Sequence, residues 1–189
     1  MSEKMTLANK MTISRMTFFP AILFFIIYFW PGNKIAMPIA LCLMIISEII
    51  DILDGYVARK YNQVSKMGKL LDPLSDAFWH GTVYYCLIQL ELANPWLLFL
   101  MISREIAVVC IRYKSLITGI VLSARIIGKI KCHVLAWNSC LIVFFYIFKI
   151  NNVFNIVPYF LHVQWLVAAV ILYSLYDYYI SNKKIVLSD

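Results

Sequence analysis

The chain has 189 residues, of which 62% are hydrophobic and only 14% are charged, and its mean hydropathy is +0.79. A soluble domain has roughly 45–50% apolar and about 25% charged residues, so this composition excludes a disordered chain and an ordinary soluble protein and indicates an integral membrane protein. The net charge of +7 would suit a nucleic acid, but in so apolar a chain the anionic membrane surface is the expected partner and no nucleic acid is expected.

Six segments have the length and composition of membrane-spanning helices, which need about 20 mostly apolar residues. The breaks between them contain residues that usually end helices, such as Pro31-Gly32-Asn33 and Asn94-Pro95. In chain order, the predicted spans cover 14–31, 35–58, 70–91, 95–117, 126–148 and 157–181. A short cytoplasmic segment, 1–13, precedes the first span. We therefore expect an all-α membrane protein with a single domain over 1–189.

The basic residues separate sharply between the two sides of such a bundle. Fourteen of them fall in the N-terminal segment, the second-to-third connection, the fourth-to-fifth connection and the tail. Only Lys34 and Lys149 fall on the other side, and Arg104 lies within the fourth span. Because cytoplasmic loops carry the excess of Lys and Arg, the sequence predicts six spans with both termini in the cytoplasm.

Carboxylates occur at the cytoplasmic ends of the second and third predicted spans, where membrane helices seldom have them. Asp51 and Asp54 are spaced i, i+3, and Asp72 and Asp76 are spaced i, i+4, so each pair lies on one helical face. Two antiparallel helices with a short connection would bring both pairs into one pocket, close to Glu48. So much negative charge favours a divalent cation, and all-oxygen ligands suit Mg²⁺ or Mn²⁺.

Two other interpretations of these carboxylates stay open at this point. The aspartates could pair with Arg59, Lys66 and Lys69 at the membrane interface, although four at helical spacing are more than such pairing requires. They could also belong to a cation-coupled transporter. Transporter sites usually lie near the membrane midplane on broken helices, whereas these carboxylates lie at one interface, so a metal site is the favoured hypothesis.

The segment from Asp51 to Asp76 reads D-x2-D-G-x2-A-R-x8-G-x3-D-x3-D. This pattern resembles the signature of the CDP-alcohol phosphotransferases, which are six-span membrane enzymes of phospholipid synthesis. Segments 9–15, 103–112 and 128–131 are similar to stretches of the phosphatidylglycerophosphate synthases within that family. The eight residues of the signature are Asp51, Asp54, Gly55, Ala58, Arg59, Gly68, Asp72 and Asp76.

The resemblance implies transfer of a phosphatidyl group from CDP-diacylglycerol to glycerol 3-phosphate, with release of CMP. It assigns the four aspartates to two divalent ions, Mg²⁺ or Mn²⁺, and makes Asp76 the candidate base for the acceptor hydroxyl. It implies a homodimer in a bacterial-type inner membrane, among membrane lipids, with the active site facing the cytoplasm. The residues it places around the CDP-lipid are Gly55, Ala58, Arg59 and Gly68.

One position departs from those synthases and bears on the acceptor. Ala77 follows the last aspartate of the signature, where the synthases usually have Lys. The inositol-phosphate branch of the family tends to have a small residue there, although it typically lacks Pro73. Inositol phosphate or another phosphorylated polyol is therefore an alternative acceptor.

Basic residues in the second half of the chain fit a phosphorylated acceptor. Arg104 lies about nine residues into an apolar run and requires a buried partner or an anionic ligand. Its neighbour Glu105 is not expected to be that partner, because adjacent residues of a helix face different directions. The alternative is that these side chains only reach anionic lipid headgroups. The residues expected to bind the acceptor phosphate are Arg104, Arg112, Arg125 and Lys131.

Overall fold

The structure is a computed structural model that describes residues 7–60, 66–117, 126–153 and 157–183. Within these ranges the chain forms six α-helices and no strand. The helices are α1 (Leu7–Phe29), α2 (Ala36–Lys60), α3 (Lys66–Gln89), α4 (Pro95–Ile117), α5 (Ile126–Ile150) and α6 (Val157–Ser181). The predicted all-α architecture is therefore confirmed for the described part of the chain, and each predicted span corresponds to one helix.

Local sequence explains where several helices begin and end. α1 ends just before a Pro-Gly pair, in which Gly32 has a φ of 68° that glycine adopts readily. The side-chain oxygen of Asn33 accepts a hydrogen bond from the backbone N–H of Ala36 at 3.1 Å and so caps the start of α2. Asn94 caps α4 in the same way by accepting from the N–H of Trp96 at 3.0 Å.

Two helices begin earlier than the predicted spans. α1 begins at Leu7 and α3 at Lys66, whereas the apolar segments begin at 14 and 70, and α2 continues to Lys60. Much of the predicted cytoplasmic segment and of the second-to-third connection is therefore helical. Hydropathy detects where a helix enters the apolar phase, and the helices continue beyond that point because few helix-breaking residues interrupt them.

In the described part of the chain, four helices contain a stretch that is long and apolar enough to cross a membrane. Large apolar side chains also face outward, among them Trp137 at 70% and Leu166 at 69% exposure, as expected of a surface in contact with lipid. These features support an integral membrane protein. The four stretches are Thr12–Phe29, Ala36–Leu53, Ile126–Ile150 and Pro158–Ser181.

α3 packs against three other helices, α1, α4 and α5. Its Trp79, Tyr84 and Leu87 are at most 1% exposed, and the Tyr84 hydroxyl donates to the side-chain oxygen of Asn138 on α5 at 3.1 Å. Polar groups on a face that packs against protein can find partners there, and α3, which carries several charged residues, is less apolar than the four helices named above.

Candidate active site

A buried arginine of α1 joins the two helices that carry the signature aspartates. Arg15 is 1% exposed, and its Nη2 lies 2.7 Å from Oδ1 of Asp51 and 2.8 Å from Oδ1 of Asp76. Because one nitrogen contacts both oxygens, the carboxylates from α2 and α3 converge. Both carboxylates keep part of their surface exposed, 36% for Asp51 and 23% for Asp76.

The remaining signature residues are described only in part. Asp54 and Asp72 lie on α2 and α3, about one helical turn from Asp51 and Asp76 respectively, but their side chains lie outside the described residues. The convergence of all four carboxylates stays a prediction. Gly55 is half-buried on α2. The surroundings of Ala58, Arg59 and Gly68 also lie outside what is described, as does the whole of Arg125.

Further hydrogen bonds hold the helices around these carboxylates. The indole N–H of Trp79 on α3 donates to Glu48 on α2 at 3.0 Å. The hydroxyl of Ser75, also on α3, donates to the backbone carbonyl of Thr12 on α1 at 3.5 Å. Glu48, which the sequence grouped with the acidic pocket, therefore contributes to the contact between α2 and α3.

A second cluster, formed around Arg104 and Glu105 of α4, joins α4 to α5 and α6. Nη1 of Arg104 donates to both carboxylate oxygens of Glu105 at 3.0 Å, and Nη2 donates to the hydroxyl of Ser174 at 2.9 Å. The ammonium of Lys131 on α5 also donates to Glu105. Arg104 and Lys131 are only 6% and 3% exposed, so this is a buried group of two cations and one carboxylate.

The expectation that Glu105 could not be a partner of Arg104 is wrong. Their Cβ atoms do point in different directions from the helix, but the arginine side chain is long enough to bend back to its neighbour. The other predicted phosphate-binding residue that is described, Arg112, lies apart from this group. Its Nε donates to the hydroxyl of Tyr178 on α6 at 3.3 Å, with the guanidinium 6.0 Å from the ring centre.

Consecutive residues of α5 connect the two clusters. Lys131 contacts Glu105, and the thiol of Cys132 donates a weak hydrogen bond to Oδ2 of Asp76 at 3.7 Å. One turn earlier, a Cβ at Gly128 would lie 3.5 Å from Nη2 of Arg104, so α5 passes within contact distance of that guanidinium. The acidic and the basic residues therefore belong to one continuous site.

An apolar cavity of about 800 Å³ borders this site between α1, α3 and α4. Glu105 lies on its wall, and so does Ala77, the residue that follows Asp76. The position at which the sequence departs from the phosphatidylglycerophosphate synthases therefore faces an apolar space. A lysine there would bring a positive charge into that space.

Arg15 and Glu105 are charged residues of the site for which the sequence predicts no role in binding or catalysis. The charge distribution along the chain indicates only that Arg15 is a cytoplasmic basic residue, although segment 9–15 carries part of the family resemblance. Glu105 is the one acidic residue of α4. An acid directly beside an arginine in an apolar helix is the signal that indicates such an ion pair.

Comparison with known proteins assigns the site to a family. A family model described as CDP-alcohol phosphatidyltransferase matches residues 5–175. The chain belongs to this family. The matched range contains both clusters, from Arg15 to Ser174, and so confirms the resemblance that the Asp51–Asp76 signature indicated.

Individual members of the CDP-alcohol phosphatidyltransferase family are also similar to the chain. A CDP-diacylglycerol–glycerol-3-phosphate 3-phosphatidyltransferase of Bacillus subtilis is 38% identical over 137 residues, which cover 66% of this chain and 69% of that protein. A protein of the same name from Rickettsia felis is 30% identical over 125 residues, covering 66% and 67%. A cardiolipin synthase (CMP-forming) of Streptomyces coelicolor is 31% identical over 101 residues, covering 53% and 47%.

Proposed function

We propose that this membrane enzyme transfers a phosphatidyl group from CDP-diacylglycerol to glycerol 3-phosphate and releases CMP. Membership of the family and the names of the Bacillus and Rickettsia relatives support this reaction. The observation that carries the proposal is the pair of contacts made by consecutive residues of α5. Lys131 reaches the buried cationic cluster and Cys132 reaches Asp76, so an acceptor with a phosphate at one end and a hydroxyl at the other could span both.

The chemistry is a substitution at the phosphorus that links the lipid to CMP. A bond forms between this phosphorus and the acceptor oxygen, the bond to the CMP oxygen breaks, and the acceptor hydroxyl loses its proton. Asp76 is our candidate for the base, since a general base must lie within hydrogen-bond reach of that proton. Oδ1 of Asp76 is bound by Arg15, whereas Oδ2 has only the weak thiol contact among the described residues, so Oδ2 is the oxygen that stays accessible to a ligand.

Members of this family generally use divalent metal ions, and we propose that four aspartates hold two Mg²⁺ or Mn²⁺ ions here. The described residues fit such a site because Asp51 and Asp76 supply oxygen ligands that converge from two helices. When bound, the ions would supply charge neutralisation for the diphosphate and the departing CMP. The proposed ligands are Asp51, Asp54, Asp72 and Asp76.

The residues proposed to bind the CDP-lipid lie between the two pairs of aspartates in the sequence. Gly55 and Ala58 lack bulky side chains, which allows close approach of a ligand to α2. Arg59 would bind phosphate oxygens through its planar guanidinium. Gly68 would allow the same close approach at the start of α3.

The buried cluster around Glu105 supports binding of a phosphorylated acceptor. Its two cations and one carboxylate leave one positive charge without a balancing partner among the described residues of the cluster, and an uncompensated buried charge is costly. Nε of Arg104 is also buried and has no hydrogen-bond partner in the described part of the chain. We therefore propose Arg104 and Lys131 as the main phosphate-binding residues, with Arg112 and Arg125 in supporting positions.

We further propose that all six helices cross the membrane and that both termini are cytoplasmic. α3 and α4 have 24 and 23 residues, and at about 1.5 Å per residue each exceeds a hydrocarbon core of about 30 Å. The one-sided distribution of Lys and Arg supports the orientation. The proposed location is a bacterial-type inner membrane with the site facing the cytoplasm, and the proposed state is a homodimer, which light scattering of the detergent-solubilised protein would test.

An acceptor assay tests the reaction. Purified protein is incubated with CDP-diacylglycerol and Mg²⁺, and CMP release is measured with glycerol 3-phosphate, inositol phosphate or glycerol, which lacks the phosphate. We expect release with glycerol 3-phosphate, little with glycerol, and loss of activity on chelation that added Mg²⁺ or Mn²⁺ reverses. Preferred use of inositol phosphate would establish the alternative acceptor, favoured by Ala77. If no acceptor gives CMP release and the protein instead shows metal-dependent transport into liposomes, the proposed enzymatic activity is refuted.

A further inference from the structure

Arg15 has more negative charge around it than its own charge balance requires. A single buried guanidinium needs one carboxylate, because an unpaired buried charge is strongly unfavourable. Arg15 contacts two, Asp51 from α2 and Asp76 from α3. Both carboxylates keep part of their surface exposed, so Arg15 does not close the acidic site.

Arg15 binds the Oδ1 atoms of both carboxylates. Oδ2 of Asp76 contacts the Cys132 thiol at 3.7 Å, which is a weak hydrogen bond that a metal–oxygen bond would readily replace. The guanidinium therefore holds Oδ1 of Asp76 and leaves Oδ2 of Asp76 for another ligand.

The position of Arg15 is itself fixed by contacts one helical turn away on either side. The carbonyl of Thr12 accepts the hydrogen bond from Ser75, and the ring of Phe19 packs edge-on against Trp79, with 6.3 Å between the ring centres. Both partners lie on α3, the helix of Asp76. α1 therefore presents Arg15 to the carboxylates from a rigid surface.

We propose that Arg15 is a positioning residue of the proposed metal site, and this inference rests on that site. It binds Oδ1 of both Asp51 and Asp76 and orients Asp76 so that its Oδ2 faces a divalent ion. Hydrogen-bond partners that lie behind metal ligands in this way typically change metal affinity by about 10–100-fold when they are removed. The opposing hypothesis is that Arg15 competes with the metal for the same carboxylates, in which case its removal would tighten metal binding.

Direct binding of Mn²⁺ to the full chain in detergent, without substrates, separates the two hypotheses. Electron paramagnetic resonance measures the free Mn²⁺ and gives the Kd. We expect the Kd to rise about 10–100-fold in Arg15→Gln and in Arg15→Met, while Arg15→Lys, which keeps a charged donor, retains most of the affinity. Lys149→Gln, which removes an exposed positive charge at the other end of α5, is the matched control and should bind as the unsubstituted protein does.

The outcomes are distinct for the two proposals. Unchanged or tighter Mn²⁺ binding in Arg15→Gln would overturn the positioning role. If the glutamine variant does not fold, the same measurement on Arg15→Met provides the test. An equal loss of affinity in Arg15→Lys would indicate a packing defect and would also overturn it. Absence of Mn²⁺ binding by the unsubstituted protein, or binding that persists unchanged in Asp51→Asn, would instead refute the proposed metal site.

Discussion

Replacing Glu105 by Gln removes the carboxylate that lies between two buried cations. In the structure this carboxylate accepts hydrogen bonds from Arg104 on α4 and from Lys131 on α5. The exposed fraction of the side chain is 8% for Arg104, 12% for Glu105 and 4% for Lys131. The variant therefore leaves two positive charges side by side, with little water to screen them.

The expected loss of stability follows from this burial. Removing one partner of a buried ion pair typically costs about 3–5 kcal/mol, and here a single carboxylate serves two cations. For a chain of this length, each kcal/mol lowers Tm by about 2–4 °C, so the expected decrease in Tm is roughly 6–20 °C. Adding Lys131→Met to Glu105→Gln removes one of the two cations, so the double variant should regain a large part of that loss.

Thermal unfolding in detergent, followed by circular dichroism, gives Tm for the four proteins of this double-mutant cycle. They are the unsubstituted protein, Glu105→Gln, Lys131→Met and the double variant. Glu91→Gln is the control, because Glu91 is exposed in the turn after α3 and a surface change of this kind usually stays within about 0.5 kcal/mol. A Glu105→Gln variant with the Tm of the unsubstituted protein would refute the buried ion triad. A double variant no more stable than the single one would show that repulsion between the cations is not the cause.

Three further substitutions test individual contacts. Asp76→Asn should lower the rate of CMP release by about 10²–10⁴-fold while changing Tm little, because Arg15 keeps its other carboxylate partner; retained activity would exclude Asp76 as the base. Arg104→Ala should raise KM for glycerol 3-phosphate by about tenfold to a hundredfold through loss of charged hydrogen bonds; a rise confined to KM for the CDP-lipid would contradict its assignment to the acceptor. Trp79→Phe removes the indole donor to Glu48 and should lower stability by about 1–3 kcal/mol, and an unchanged unfolding temperature would show that this hydrogen bond adds nothing.

Hydropathy was sufficient to find the helices but not all of their ends. The predicted spans begin at 95, 126 and 157, and so do α4, α5 and α6. α1 and α3 begin before their apolar segments, because a helix continues into polar surroundings wherever its backbone and side chains find partners. Ser75 of α3 contacts the Thr12 carbonyl, and such contacts between distant parts of the chain are not visible in a hydropathy profile.

The candidate site was predictable where it depended on spacing along one helix. The sequence predicted that Asp51 and Asp76 would lie close together, and in the structure they meet at Arg15 of α1, a helix that packs against both α2 and α3. Arg15 lies 61 positions from Asp76, so only the packing of α1 against α3 reveals its role. The pairing of Arg104 with Glu105 does not follow from the directions of their Cβ atoms, because it depends on how far a guanidinium can reach along its own helix.

The two clusters have one physical cause, which also connects the stability of the bundle to its chemistry. Lipid cannot solvate ions, so a charged side chain that faces the interior of a membrane bundle needs a partner on another helix. Arg15 joins α1 to α2 and α3, and Glu105 joins α4 to α5. The groups proposed to handle phosphate, metal and proton therefore also hold the helices together. A variant of Arg15 or Glu105 is consequently expected to lose stability as well as activity, and only binding or KM measurements on the folded fraction will separate the two effects.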